Sequence, residues 1–170
     1  MALSIHFATN TQKIQKKFNR FLVRFPKITK MGLEQAGEQL RRIIEENTTK
    51  GKKFSGGKFV AYSPEYSALK GKTTVDLQDS NRMLQSMKSR VVNRSKAQVY
   101  FNDMGMGKRA FFHQTGQGNL PERPFFGFNK KVENVIKKSF ENLVRKEMRK
   151  LKLWVLEKTS QVILQLQLQT

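Results

Sequence analysis

The amino-acid sequence predicts an α+β fold, in which a small antiparallel β-sheet is packed by long helices at the N-terminal and C-terminal ends of the chain. Apolar residues recur at helical spacing before residue 48 and again after residue 129, and a stretch rich in β-branched and aromatic residues lies between them. The 170 residues are enough to bury a core. We therefore expect a single α+β domain over residues 1–152, followed by a C-terminal extension over residues 153–170.

Two helices are predicted in the N-terminal part. The first is expected to start at a cap on Thr9, Asn10 or Thr11 and to end or bend at Pro26. Its apolar face carries Ile14, Phe18, Phe21, Leu22 and Phe25, with lysines and arginines on another face. The second helix, over about residues 28–48, carries an apolar stripe of Leu33, Ala36, Leu40, Ile43 and Ile44.

The segment that follows, "TTKGKKFSGGKF" at 48–59, is rich in Gly, Lys and Ser and is predicted to be a flexible basic loop rather than a folded element. It is not a phosphate-binding loop, because Gly57 stands where that motif requires Lys. Its lysines are candidates for contact with DNA or with an acidic partner: Lys50, Lys52, Lys53 and Lys58. We expect the loop to become ordered only on contact with a neighbour.

The middle and C-terminal parts predict the remaining elements. Two short strands are expected at about 86–92 and 97–102, joined by an Asn/Arg/Ser turn. Asn129 is expected to cap a long helix that runs to about residue 152. The tail "VILQLQLQT" alternates apolar and polar residues, which makes it a candidate strand.

The charge balance limits the possible functions. The chain has 33 basic and 13 acidic residues, a formal net charge of +20, which favours polyanionic surroundings. It has no Cys and two His, so we expect no metal site and no cofactor. No nucleophile lies near His113 in sequence, and we expect a non-enzymatic protein. The sequence also predicts no signal peptide and no membrane span, and hence an intracellular, soluble protein.

The segment "HQTGQGNLPERPFFGF" at 113–128 is the most distinctive stretch. Its two prolines fix the backbone, and its Phe and Arg side chains are types enriched in protein interfaces. In an extended conformation Phe126 and Phe128 share one face, which we assign to the core, and Phe125 is expected to point outward. The predicted oligomer or partner interface comprises His113, Gln114, Gly116, Arg123, Pro124, Phe125 and Phe126.

The order of landmarks over residues 57–128 resembles the tail-completion or head–tail joining proteins of tailed bacteriophages, also called virion morphogenesis proteins. In that family a Leu-x-x-(Thr/Ser)-Gly-x-(Met/Leu)-Leu turn is followed by an Ala-x-x-His-Gln-x-Gly turn and an Arg-Pro/Phe-Phe-Gly segment. The matching positions are Leu77, Met83, Leu84, Ala110, His113, Gln114, Gly116, Pro121, Arg123, Pro124, Phe125, Phe126 and Gly127. Phe59 replaces a usual Trp, and Asn81 replaces a usual Gly, although Asn also tolerates the left-handed backbone.

The resemblance implies a structural virion protein that forms a ring, often sixfold in this group, at the neck or tail top. Its implied partners are further copies of itself, the head connector or adaptor, and the tail terminator or tail-tube proteins, with DNA passing through the channel. It would be located in the virion after assembly in the host cytoplasm. The charge leaves open an alternative, a stand-alone basic nucleic-acid-binding protein, whose affinity would fall steeply with salt. An enzyme acting on nucleic acid is a third and weaker hypothesis.

Overall fold

A computed structural model describes residues 11–150 of the chain. Within this range the elements are five helices and two strands: α1 (Thr11–Thr49), α2 (Pro64–Lys70), α3 (Arg82–Gln85), β1 (Met87–Asn93), β2 (Lys96–Phe101), α4 (Met104–Thr115) and α5 (Lys130–Lys150). The fold is α+β, as the sequence predicted. The described residues divide into two compact units, one of residues 30–140 and one that combines residues 11–29 with 141–150, so the predicted domain 1–152 includes parts of both. The C-terminal extension at 153–170 lies outside the described residues.

Helix α1 replaces the two helices that the sequence predicted. It continues through Pro26, so the expectation that the helix ends at that residue is wrong. A proline in a helix lacks the backbone N–H, and here the N–H that would donate to the carbonyl of Leu22 is missing. The residues on both sides of Pro26 keep their helical conformation. One turn later, the Thr29 hydroxyl donates a hydrogen bond of 2.9 Å to the carbonyl of Phe25. The single lost bond is therefore tolerated inside a helix of 39 residues.

The two predicted strands are confirmed as an antiparallel hairpin of β1 and β2. Met87 pairs with Phe101 and Val91 with Ala97, with an irregularity next to Asn93 at the turn. The side-chain oxygen of Asn93 accepts a hydrogen bond of 2.9 Å from the N–H of Ser95, which closes the turn locally. The hairpin presents Met87, Val99 and Phe101 to the core.

The core lies in the unit of residues 30–140 and draws on nearly every element there. Its buried members are Ile44, Phe59, Val75, Leu77, Met83, Leu84, Met87, Ala110 and Phe125. Six partly buried residues pack against them: Leu40, Tyr62, Val99, Phe101, Met106 and Phe126. Because residues from 44 to 126 meet in this cluster, the loops between the helices are held at fixed positions on its surface.

Helices α2, α3 and α4 were not predicted. Residues 110–116, expected as a turn, instead form the last part of α4 and its C-cap, where Gly116 is left-handed at φ 71°. The Asp103 carboxylate caps the start of α4 by accepting a hydrogen bond of 3.0 Å from the N–H of Met106. Asn81 is left-handed at φ 58°, a backbone conformation that Asn tolerates.

Helix α5 accounts for the described part of the predicted C-terminal helix. The side-chain oxygen of Asn129 accepts a hydrogen bond of 3.0 Å from the N–H of Val132, which confirms the predicted cap. Val132 is buried, and Ile136, Phe140, Leu143 and Met148 are partly buried along the expected face. Within residues 11–150 no helix is both long and apolar enough to cross a lipid bilayer.

Candidate functional site

The segment 119–128, called the strap below, belongs to the unit of residues 30–140 and is hydrogen-bonded to two other segments of that unit. The N–H of Arg123 donates to the carbonyl of His113 at 2.7 Å. The carbonyl of Pro124 accepts from the N–H of Phe54 at 3.0 Å. The strap therefore joins α4 on one side to the 48–59 segment on the other.

Arg123 is the residue that fixes the strap most firmly. Its side chain is buried, with 4% of its surface exposed. Its Nε donates to the carbonyl of Val60 at 3.0 Å and its Nη2 to that of Ala61 at 3.1 Å. Its guanidinium carbon lies 5.0 Å from the centre of the Tyr62 ring. These contacts hold the Arg123 side chain within its own chain, and its predicted role at an interface with a second subunit stays a prediction.

The predicted orientation is wrong for Phe125 and Phe128, whereas Phe126 packs against the core as expected. Phe125 is 1% exposed and belongs to the core, whereas Phe128 is 52% exposed. Phe126 is partly buried and packs against Phe101, with 5.2 Å between the ring centres. The sequence analysis assigned the wrong set of alternating residues to the core. Arg123 and Phe125 share the inward face, and a shift of one position in an extended segment exchanges its two faces.

The remaining interface candidates also make contacts within the chain. The Gln114 side chain donates to the carbonyl of Phe126 at 3.1 Å and accepts from its N–H at 2.9 Å. Gly116 lies so close to the strap that a Cβ there would meet the backbone nitrogen of Glu122 at 3.1 Å. The seven predicted interface residues are thus brought together, but as the attachment of the strap to its own chain.

The 48–59 segment is a hydrogen-bonded turn rather than the flexible loop that was predicted. The N–H of Lys53 donates to the carbonyl of Gly57 at 2.7 Å, and the N–H of Phe59 to that of Gly51 at 2.8 Å. Asn129 adds a side-chain hydrogen bond of 2.9 Å to the carbonyl of Phe54. Backbone pairing across the turn and the contact with the strap hold the segment without a neighbour.

The four lysines of this turn are surface groups. Lys52 and Lys58 are exposed and face each other across a β-bridge, and Lys53 is partly buried. The Lys50 ammonium lies 3.6 Å from the Glu46 carboxylate on α1. The turn therefore carries positive charge at an ordered position, where it can meet DNA or an acidic partner.

Beside the strap lies a cavity of about 520 Å³, called the cationic cleft below. Its basic lining residues come from four different elements: Lys70 on α2, Arg82 on α3, Arg109 on α4 and Arg123 on the strap. Asp79 is the one acidic residue among them. Tyr62, Tyr66, Asn81 and His113 also line the cleft. The arrangement is suited to holding a negatively charged group.

Lys70 is the basic residue of this cleft whose charge is already balanced. It binds the buried carboxylate of Asp76 and donates a hydrogen bond of 3.0 Å to the Tyr62 hydroxyl. Burial works against both charges, but the hydrogen bonds between them prevail, so the pKa of Asp76 is lowered and the pKa of Lys70 is raised. Both groups are therefore charged at neutral pH.

His113 and Arg123 are placed where positive charge is unfavourable. Burial lowers the pKa of His113, and the nearby charges of Arg123 and Arg109 lower it further. Burial also lowers the pKa of Arg123 from its high ordinary value. Among the described side chains, two buried polar atoms have no hydrogen-bond partner, and both belong to residues of the cleft: Nδ1 of His113 and Oδ1 of Asn81.

The cleft was missed by the sequence analysis, and its residues carry no local signal. Arg82 and Arg109 are two basic residues among 33, and nothing in their neighbours in sequence distinguishes them. Within residues 11–150 no three His, Asp or Glu side chains are grouped so as to hold a metal ion. No protein-family model matches the chain, and no curated protein or solved structure proved significantly similar to it.

Proposed function

We propose that this chain is a structural subunit of the neck of a tailed bacteriophage, a tail-completion protein that assembles with copies of itself into a ring between the head connector and the tail. The observation that carries the proposal is that the landmarks of the family resemblance interlock in three dimensions. Arg123 binds the carbonyls just before Tyr62, and Gln114 binds the backbone of Phe126. An accidental match of scattered motifs would not be expected to build one connected substructure.

Arg123 and Phe125 of the strap are buried within their own chain, so we propose a second surface as the principal contact of the ring. The first half of α1 offers one, because Phe18, Leu22 and Phe25 follow helical spacing and are between 42% and 51% exposed. Phe21 lies beside Phe25, with 5.6 Å between the ring centres. Exposed apolar stripes of this kind are typical of protein interfaces. We assign the stripe of residues 18–25 to assembly.

The proposal is tested by the mass of the purified chain at several concentrations and by electron microscopy of the particles. Ring-shaped oligomers should form with rising concentration, and Leu22→Asp should prevent them, because a carboxylate would have to be buried in the contact. Gln12→Asp is the matched control: it adds the same charge at an exposed position of the same helix that helical spacing places away from the stripe, and it should leave assembly unchanged.

Two results would contradict the proposal. One is a chain that stays monomeric at every concentration and also fails to add to isolated phage connectors or tails. The other is equal assembly by wild type and Leu22→Asp, which would remove the α1 stripe from the interface. Unaltered helix content in both variants, measured by circular dichroism, is needed to attribute an effect to assembly.

The alternative, a stand-alone nucleic-acid-binding protein, is favoured by the net charge of +20 and by the exposed lysines of the 48–59 turn and of α5. Such a protein should bind duplex DNA tightly at low salt, with an affinity that falls steeply as salt rises. A ring subunit should keep its self-association over the same salt range. Measuring both properties in one salt series separates the two functions.

A further inference from the structure

We propose that the cationic cleft binds a nucleotide unit, that is, a phosphate group joined to a planar base. The cleft lies wholly within the unit of residues 30–140. The inference therefore does not depend on ring assembly, and either proposal can fail without the other. A free nucleotide and the end of a nucleic-acid strand share this chemistry, and the experiment below distinguishes them.

The first reason is the charge of Arg123. Its guanidinium is almost fully buried, and its contacts are two neutral carbonyls and the Tyr62 ring. No carboxylate within residues 11–150 forms an ion pair with it. The two carbonyls and the Tyr62 ring replace only part of the hydration that the guanidinium loses, and a buried charge without a counter-ion remains costly. An anion in the cleft would supply the missing partner.

The second reason is the number of unbalanced charges. Lys70 is matched by Asp76, which leaves Arg82, Arg109 and Arg123 against the single carboxylate of Asp79. Three positive charges and one negative charge leave an excess of two. A phosphate monoester carries about −1.5 to −2 at neutral pH, and guanidinium groups bind its oxygens well. The cleft is therefore balanced by one terminal phosphate better than by one carboxylate.

The third reason is the size and the aromatic lining. A cavity of about 520 Å³ has more room than a phosphate alone needs and falls in the range of small-molecule sites. Tyr66 is 40% exposed, and its ring is held edge-to-face against Tyr62 with 4.9 Å between the centres. An exposed ring held in this way is a platform on which a base can stack. His113 and Asn81 add two polar side chains to the lining of the cleft, and each has one buried atom without a hydrogen-bond partner.

The test is a titration of the full chain with each probe. Binding is measured by calorimetry and by changes in the nitrogen NMR resonances of the histidine side chains. The probes are inorganic phosphate, deoxyadenosine, deoxyadenosine monophosphate, and short oligothymidylates with and without a 5′-phosphate, at roughly physiological salt. We expect the monophosphate to bind at least about tenfold more tightly than phosphate or nucleoside alone, with Kd below about 1 mM. The His113 signals should shift, since this residue lines the cleft.

Three variants connect the binding to the cleft. Arg109→Gln should weaken the binding of the monophosphate about tenfold. It removes an exposed guanidinium that has no hydrogen bond within the described chain and is therefore free to bind the phosphate. Lys131→Gln removes the same charge from an exposed position on α5 outside the cleft and should change Kd less than about twofold. Tyr66→Ser should bring the affinity of the monophosphate down to that of phosphate.

The oligothymidylates identify the source of the ligand. A preference for the 5′-phosphorylated strand over both the unphosphorylated strand and the mononucleotide would assign the cleft to strand ends, and a preference for the mononucleotide would assign it to free nucleotides. The proposal is overturned if phosphate binds as tightly as the monophosphate, if Lys131→Gln weakens binding as much as Arg109→Gln, or if no saturable binding appears up to about 10 mM.

Discussion

Arg123 and Gln114 act as internal cross-links between segments that are distant in sequence. Each uses a planar side chain to satisfy backbone groups: Arg123 binds two carbonyls of residues 60–61, and Gln114 pairs with both backbone groups of Phe126. A hydrogen bond from a charged donor contributes about 1.5–3 kcal/mol, so the Arg123 side chain alone contributes a sizeable part of the stability of the strap. Lysine could not replace it, because an ammonium lacks the forked geometry.

Gly127 shows how closely the strap approaches the 48–59 turn. A Cβ at Gly127 would lie 2.9 Å from the Phe54 ring, closer than real contacts allow. We expect Gly127→Ala to lower the free energy of unfolding by about 1–3 kcal/mol, because either the ring or the strap must move. The change is measured by thermal or denaturant unfolding.

Gly57 provides the matched control for this prediction. Gly57 lies in the 48–59 turn, as Phe54 does. The nearest atom to a Cβ at this position would be a side-chain carbon of Lys53 at 3.9 Å. Gly57→Ala should therefore be neutral or slightly stabilising, since alanine restricts the unfolded chain. Equal stability of the two alanine variants would mean that the strap does not pack on Phe54.

At the scale of elements, the sequence could predict the helices and strands whose apolar residues recur regularly over a long stretch. The apolar stripes of α1 and α5, the cap at Asn129 and the two strands followed from local patterns. Helix α4 could not be predicted in this way, because Gly105 and Gly107 lower its intrinsic helix propensity and tertiary contacts must supply the difference. The Asp103 cap and the burial of Ala110 in the core are two such contributions.

The cleft could not be predicted for a related reason. Its basic residues come from α2, α3, α4 and the strap, which are brought together by packing and not by any spacing along the chain. The strap residues were recognised as a group, but their direction was not. An extended segment has two faces, and local sequence alone does not say which of them carries Arg123 and Phe125 into the core.

Helix α1 contains a position at which its stability can be raised. Pro26 is exposed, and its ring nitrogen cannot donate to the carbonyl of Leu22. We expect Pro26→Ala to restore that hydrogen bond, to increase the helical signal in circular dichroism and to raise the free energy of unfolding by about 1–3 kcal/mol. Gln35→Ala, at an exposed polar position of the same helix, should change stability by less than about 0.5 kcal/mol. A loss of stability in Pro26→Ala would show that the proline ring itself makes a needed contact.

At the scale of the whole molecule, the dominant feature is the surplus of positive charge. The net charge of +20 produces self-repulsion that favours expansion of the chain and attraction to polyanions. Most ion pairs of the described residues lie within one helix, and the four that join two exposed side chains, such as Lys130 with Glu133, contribute little. Repulsion among the basic residues therefore outweighs these pairs, and a polyanionic neighbour would relieve it.

This balance predicts that salt stabilises the protein. In protein freed of nucleic acid, raising sodium chloride from about 50 to 300 mM should increase Tm by roughly 2–4 °C, equivalent to about 1 kcal/mol, because screening weakens the repulsion more than the few exposed pairs. The triple variant Lys131→Glu, Lys138→Glu, Lys146→Glu changes three exposed residues of α5, and each exchange lowers the net charge by two, so it falls from +20 to +14. At low salt the Tm of this variant should be higher than that of the wild type, and it should rise less when salt is added. A wild-type Tm that falls with salt would mean that specific ion pairs, and not repulsion, control the stability of the molecule.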